Sequence, residues 1–302
     1  MSKYLVTGGA GFIGSNLVDK LVDLQEEVIV IDNLTTGVRG NLNSKVSLIE
    51  CDLASASIDD LVEYMRDVDV VFHLAAKARV QPSIDDPVSF NEANVGGTLN
   101  VLLAAHKAAV KRVVYSASSS CYGDTEIFPT PETAPTNPLS PYGLQKYIGE
   151  QYCKMFSEVY GLDTVSLRYF NIYGPGMTLE GPYCTIISIF GRQIQEGKPL
   201  TITNDGHQRR DFTYVGDVVN ANILAATRDK DFEGDVFNIG NGENYSINEV
   251  ADMFGGSREY GEKRFEPFET LADNTKAANE LGWSPAGDLP AWIEKYKRSL
   301  AV

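Results

Sequence analysis

The first half of the chain alternates short apolar runs with helix-length segments, and few folds accept that pattern. Tyr4 to Thr7, Glu27 to Ile31, Val46 to Glu50, Val68 to Leu74, Arg112 to Ala117 and Thr164 to Arg168 are rich in Val, Ile and Leu. Helical patterns at about 12–23, 57–66, 88–109 and 142–160 lie between them. Strands that are apolar throughout are buried on both faces, and helices of this length carry the chain back across a sheet. The pattern predicts an α/β fold with a doubly wound parallel sheet of the Rossmann type and right-handed crossovers. After residue 170 the alternation loosens into loops, short strands and helices at about 183–196, 215–228 and 246–254. We expect residues 1–170 to form the sheet domain and 171–302 mainly a smaller, interleaved one, with about 210–240 returning to the first. The proline-rich stretch from Phe128 to Pro141 reads as an ordered surface loop.

The loop that leaves the first strand indicates what such a sheet holds. It reads Thr7-Gly8-Gly9-Ala10-Gly11-Phe12-Ile13-Gly14, a G-x-x-G-x-x-G spacing, and a helical run follows. Glycines at Gly8, Gly11 and Gly14 let the backbone turn sharply and approach a pyrophosphate, whose charge meets the N-terminus of the next helix. Asp32 ends the second strand, 18 positions after Gly14, where a carboxylate accepts hydrogen bonds from an adenosine ribose. Asn33 and Leu34 follow it rather than a cation, so a 2′-phosphate would meet a carboxylate, and the cofactor expected is NAD rather than NADP. Asp52 and Leu53, after the third strand, are the expected contacts for the adenine edge.

Charge limits the partners. Lys and Arg total 26 against 41 Asp and Glu, a formal charge of −15, which argues against nucleic-acid binding through a basic surface. No uninterrupted apolar stretch reaches the length of a membrane span, and the N-terminus lacks a signal-peptide layout, so the expected location is the cytoplasm. Cys51, Cys121, Cys153 and Cys184 show no paired spacing and read as reduced thiols. His73, His106 and His207 are isolated, so no metal site is expected.

A second constellation carries chemistry. Tyr142 and Lys146 stand four residues apart at a helix start, hence on one face. A phenol is a poor base near neutral pH, but an adjacent ammonium lowers its pKa. Ser118, Ser119 and Ser120 follow the strand at 112–117 and bring hydroxyls to the carboxyl end of the sheet, where ligands of such sheets bind.

These segments together resemble the extended short-chain dehydrogenase/reductases, and among them the nucleotide-sugar 4-epimerases. The similarity runs in order from the glycine loop through His73-Leu74-Ala75-Ala76, Asn94 to Thr98, the serine run, Tyr142/Lys146 and Arg168 to Gly174. It continues through Arg210 to Val215, Ala272-Asp273 and Leu281-Gly282-Trp283. The resemblance implies that Tyr142 removes the sugar 4-hydroxyl proton while hydride passes from C4 to tightly bound NAD. The 4-keto sugar then swings over and hydride returns to its opposite face. Lys146 would hold the nicotinamide ribose, and Ser118 is the active-site serine, four residues before Tyr122-Gly123. Leu74, Ala75, Ala76, Asn94 and Tyr169 would complete the NAD site. Arg210, with Asn171 beside it, is the expected partner of a nucleotide diphosphate, joined by Lys263 or Arg264, of which we choose Arg264. A homodimer pairing the helices at about 88–109 and 142–160 is also implied.

Reactions within the family separate on a few positions. The dehydratases carry Asp-Glu after the active-site Ser/Thr, where this chain has Ser119 and Ser120, so dehydration is disfavoured. Cys121 lies one residue before Tyr122, not two as in the deoxysugar synthases, and reads as packing. The triple serine resembles epimerases of N-acetylated hexosamines. Thr270, three residues before Asp273, stands where a bulky tyrosine often closes the pocket in epimerases of non-acetylated sugars. A small residue there leaves room for a 2-acetamido group, to which Ser119 can hydrogen-bond. The resulting expectation is a UDP-N-acetylhexosamine 4-epimerase, with UDP-glucose and UDP-galactose as further substrates. The alternatives are a UDP-glucuronate decarboxylase or 4-epimerase, and a non-catalytic NAD-binding module.

Overall fold

A computed structural model describes residues 1–181, 184–263 and 266–300. The first half contains β1 (Lys3–Thr7), α1 (Phe12–Asp23), β2 (Glu27–Asp32), β3 (Ser47–Glu50), α2 (Ile58–Tyr64) and β4 (Val70–His73). Next come α3 (Val80–Asp85), α4 (Pro87–Asn91), α5 (Gly97–Lys107), β5 (Arg112–Ser118), α6 (Pro141–Tyr160) and β6 (Asp163–Tyr169). The remainder holds β7 (Asn171–Tyr173), α7 (Ile186–Gln195), β8 (Leu200–Ile202), β9 (Arg209–Tyr214), α8 (Val215–Thr227) and β10 (Asp235–Ile239). It ends with β11 (Asn244–Ser246), α9 (Ile247–Phe254), β12 (Arg258–Tyr260) and α10 (Leu289–Leu300).

Seven strands form one parallel sheet in the order β10-β6-β5-β4-β1-β2-β3. The strands are apolar on both faces because both are covered. From β1, Tyr4 and Val6 face α1 and α8 with Leu17, Leu21 and Val218, whereas Leu5 faces α2, α5 and α6 with Leu61, Leu102 and Phe156. A smaller layer stands over the carboxyl ends of the strands. Its core of Phe190, Leu200, Ile202, Phe212, Phe254 and Ile293 joins α7, α9 and α10 to the sheets β11-β9-β7 and β12-β8. Among the described residues, no helix is long and apolar enough to cross a membrane.

One expected element is broken up. The helix read at 88–109 consists of α4, a π turn at Glu92–Gly96 and α5. The wide turn accommodates Asn94, whose side chain bonds both backbone groups of Lys77 and the Gln145 side chain instead of facing solvent. The helix read from about 183 starts at Ile186, capped by Thr185, and residue 183 itself lies outside the described residues.

A buried ion pair fixes α6 to the sheet. Arg168 of β6 makes a bidentate pair with Glu150, at 2.8 and 2.6 Å, and donates to the Tyr122 hydroxyl at 2.7 Å. Both charged side chains are at most 4% exposed. Removing one partner strands the other charge in the interior. Glu150→Ala is therefore expected to cost about 3–5 kcal/mol in urea unfolding. A loss below about 1 kcal/mol contradicts this role.

Candidate active site

The fold leaves a cavity of about 1010 Å³ between the carboxyl ends of the strands and the smaller layer. One end is built from the glycine loop. Gly8 has φ +69°, and a Cβ there would lie 2.7 Å from the Ala75 amide nitrogen, so the loop and the β4 end meet as bare backbone. A Cβ on Gly14 would lie 2.1 Å from the Gly8 carbonyl oxygen. Gly11 caps α1 without a side-chain hydrogen bond, leaving the helix N–H groups aimed at the space that Gly8, Phe12 and Ile13 also line.

Asp32 shapes the neighbouring wall. Its carboxylate accepts from the Ala10 and Leu34 amides at 2.9 and 2.8 Å and lines the cavity. Asn33 donates to Asp52 at 3.1 Å, and Leu53 and Ala54 continue this wall. Leu74, Ala75 and Ala76 form the opposite wall, held to Thr7 by the Leu74 and Ala75 amides. Asn94 is buried behind that wall, outside the lining, and braces it through Lys77. Tyr169 lines the cavity, with its hydroxyl engaged by Asn222 at 2.8 Å. An anion-receptive helix end, a glycine loop packed as bare backbone against the β4 end, and a carboxylate in the cavity wall fit a dinucleotide such as NAD.

The middle of the cavity holds the reactive side chains. Ser118 ends β5, and its Oγ accepts from both the Ser120 amide and the Ser120 hydroxyl, at 3.2 and 2.8 Å. Pro141 and the Ser140 cap, which accepts from Gly143 N–H at 3.1 Å, start α6 at this spot. Tyr142 and Lys146 both line the cavity from one face of α6. Burial raises the Tyr142 pKa, whereas the Ser118 hydroxyl and the Arg79 guanidinium oppose that rise. Burial pulls Lys146 down to about 7, and its ammonium lies 4.5 Å from the centroid of the Tyr115 ring. Beneath them His73 bridges Thr7 and Thr98 and is held neutral, with a pKa of about 3, by burial and the nearby lysine.

The far end carries the other expected contacts. Ser119, Ser120 and Asn171 line the wall with Thr270, whose Oγ accepts from the Asp211 amide at 3.1 Å and from the Asn171 side chain at 3.3 Å. Arg210 reaches the cavity from β9, donating to Glu266 at 2.7 Å and to two backbone carbonyls. Arg264 lies outside the described residues. Cys121 packs with Tyr122, Ala134 and Phe170, and burial pushes its thiol up to about 12. Sequence reasoning missed Glu266, Gln208 and Arg79 in the lining. Each reaches the site through a fold contact that no local spacing signals.

A Rossmann sheet with a glycine loop, a Tyr/Lys pair on one helix face and a serine at the neighbouring strand end defines an extended short-chain dehydrogenase/reductase. More narrowly, the chain belongs to the NAD dependent epimerase/dehydratase family, whose model matches residues 4–240. It is 36% identical over 304 residues to a UDP-glucose 4-epimerase of Mycolicibacterium smegmatis, covering 96% of each chain. A UDP-glucose 4-epimerase of Thermotoga maritima, solved with UDP-glucose, superposes with a TM-score of 0.94 at 35% identity, covering 99% of this chain and 100% of that one. A UDP-N-acetylglucosamine 4-epimerase of Methanobrevibacter ruminantium, solved with UDP-N-acetylmuramic acid, gives 0.90 at 36% identity, covering 99% and 97%.

Gly8→Ala tests the cradle. Its positive φ and the 2.7 Å approach to Ala75 leave no room for a methyl group, so NAD retention after gel filtration is expected to fall at least about tenfold. Retention equal to the parent protein contradicts the placement.

Proposed function

We propose that this enzyme, an NAD-dependent isomerase of the UDP-sugar 4-epimerase class, interconverts UDP-N-acetylglucosamine and UDP-N-acetylgalactosamine and also accepts UDP-glucose and UDP-galactose. The observation that carries the reading is the meeting of Ser118, Tyr142 and Lys146 in one cavity with the glycine cradle at one end and Arg210 at the other. Bound NAD supplies a reversible acceptor for the C4 hydride, so inversion needs no outside oxidant. Tyr142 takes the O4 proton as C4 becomes a ketone and returns it after the sugar has turned. Ser118 donates a hydrogen bond to the same oxygen, sharing the charge that develops there. Lys146 supplies positive charge from the same face of α6 as the phenol.

Arg210 is the proposed diphosphate contact. Arg210 is buried, and its guanidinium is held by Glu266 and backbone carbonyls, hence oriented before substrate arrives. Thr270 supports the N-acetyl reading: it leaves open a space that a phenol ring would fill, with the Ser119 and Ser120 hydroxyls lining the same cavity. A homodimer is part of the proposal. Ile84, Val88, Leu144, Val159 and Tyr160 are exposed apolar residues on α3, α4 and α6. Light scattering is expected to give twice the 33.1 kDa chain mass.

Tyr142→Phe is expected to lower kcat by at least about a thousandfold with KM little changed, since only the proton transfer is lost. Full turnover by that variant contradicts the mechanism. Thr270→Tyr is expected to abolish turnover of the N-acetylated pair while sparing UDP-glucose. Unchanged selectivity rejects the pocket argument. Arg210→Ala is expected to raise KM about 10- to 100-fold, the equivalent of one or two charge-assisted hydrogen bonds.

A further inference from the structure

Asn94 and Gln145 are 1% and 4% exposed, and neither lines the cavity, yet they join two of its walls. Lys77 closes the wall that begins at Leu74, where the Ala75 backbone meets Gly8. Its N–H donates to Asn94 Oδ1 at 2.8 Å, and its carbonyl accepts from Asn94 Nδ2 at 2.9 Å. A backbone N–H can only donate and a carbonyl only accept, so this pair fixes which end of the Asn94 amide is which. The second N–H on Nδ2 is left for α6, where Gln145 Oε1 accepts it at 3.1 Å. Gln145 Nε2 in turn donates to the Pro87 carbonyl at the start of α4, at 3.3 Å. Backbone groups at both ends thus set the direction of every bond from Lys77 through Asn94 and Gln145 to Pro87.

The start of α6 is held from two other directions. A Cβ on Gly143 would fall 2.8 Å from the Ser120 carbonyl oxygen, so its first turn rests directly on the serine wall. From α3, Ser83 Oγ accepts the Tyr142 amide at 3.1 Å. That contact ends within α3, because the same hydroxyl donates to the Val80 carbonyl at 2.6 Å. The Gln145 bond instead runs on through Asn94 to Lys77, and so to the wall beside the glycine loop. Gln145 stands three residues after Tyr142 and one before Lys146, between the two side chains that reach the cavity. Without its carbonyl, Asn94 keeps a buried N–H that has no acceptor, and the cost falls on the turn that holds Lys77.

We propose that Gln145 is a positioning residue: through its hydrogen bond to Asn94 it sets the distance between the wall at Leu74 to Lys77 and the face of α6 that carries Tyr142 and Lys146. This rests on the reading of that wall as part of the NAD site and of that face as the reactive one. Cofactor and phenol are then aligned by one side-chain bond that touches neither of them. Loss of the bond loosens both sides together, so NAD leaves faster and the chemical step slows, while the sugar-nucleotide contacts at the far end stay as they were.

The test is a double-mutant cycle in the NAD-loaded enzyme, read in the rate of NAD release and in UDP-hexose turnover. Gln145→Met keeps the side-chain length and removes the acceptor. It is expected to speed NAD release about tenfold and to lower kcat about tenfold, with KM within about twofold of the parent. Gln145→Glu, which keeps an oxygen for the Asn94 N–H, is expected to restore at least about half of each loss on a logarithmic scale. Asn94→Leu breaks the same bond from the other side, so adding Gln145→Met to it is expected to change neither rate by more than about twofold. Should the methionine variant not fold, Gln145→Leu carries the same test. NAD release that is unchanged in Gln145→Met, or losses that multiply in the double variant, overturn the proposal, whatever the turnover. A coupled effect on NAD release in a protein lacking epimerase turnover sustains it and instead contradicts the proposed reaction.

Discussion

Helix α6 presents Tyr142, Lys146 and Glu150 at intervals of four, one stripe on one face, and the rest of the site depends on how that stripe is held. Glu150 is clamped to Arg168 of β6 in the protein interior. Gly149 lets the helix lie directly on β5, because a Cβ there would fall 2.2 Å from the Tyr115 hydroxyl oxygen. Lys146 rests on the same tyrosine ring, and its carbonyl accepts the Tyr115 O–H at 3.3 Å. The Ser140 cap and the Ser83 contact fix the first turn, where Tyr142 sits. Phenol, ammonium and anchor are thus placed by one rigid element rather than by a loop, which suits a site that needs ångström-scale alignment.

Electrostatics follow the same division between surface and interior. The chain carries a net charge of −15, yet the cavity gathers local positive devices: backbone N–H groups at the start of α1, Arg210 in the smaller layer, and Lys146 and Arg79 in its lining. Burial strengthens each of these and sets the lysine near neutrality. Asp211 shows the cost of interior charge in reverse. Burial raises its pKa to about 6 against the amides of Ala272, Asn241 and Gly242, which it gathers to join β9 to the wall carrying Thr270.

Much of this was legible before any coordinates. The glycine loop, Asp32, and the Tyr142/Lys146 pair are set by local geometry, in which spacing alone places residues at a strand end, a helix start or one helical face. The strands at 4–7, 27–31 and 112–117 stood out because both faces are buried and their apolar runs are unbroken. What escaped depends on contacts between distant segments. The π turn at Glu92–Gly96 exists because Asn94 bonds Lys77 and Gln145, 17 and 51 residues away. Strands β7, β8, β11 and β12 are three residues each, too short for any periodicity to register. Arg79 carried no motif, and only the loop conformation and the packing of α3 on α6 bring it into the cavity lining.

In the proposed reaction one cavity inverts a sugar carbon by lending out its hydrogen and taking it back. The most direct measurement follows UDP-N-acetylglucosamine deuterated at C4 through turnover in ordinary water, reading the product by mass spectrometry. Retention of the deuterium in the epimer is the predicted result. Replacement of that deuterium by solvent hydrogen, or inversion at another carbon, contradicts it.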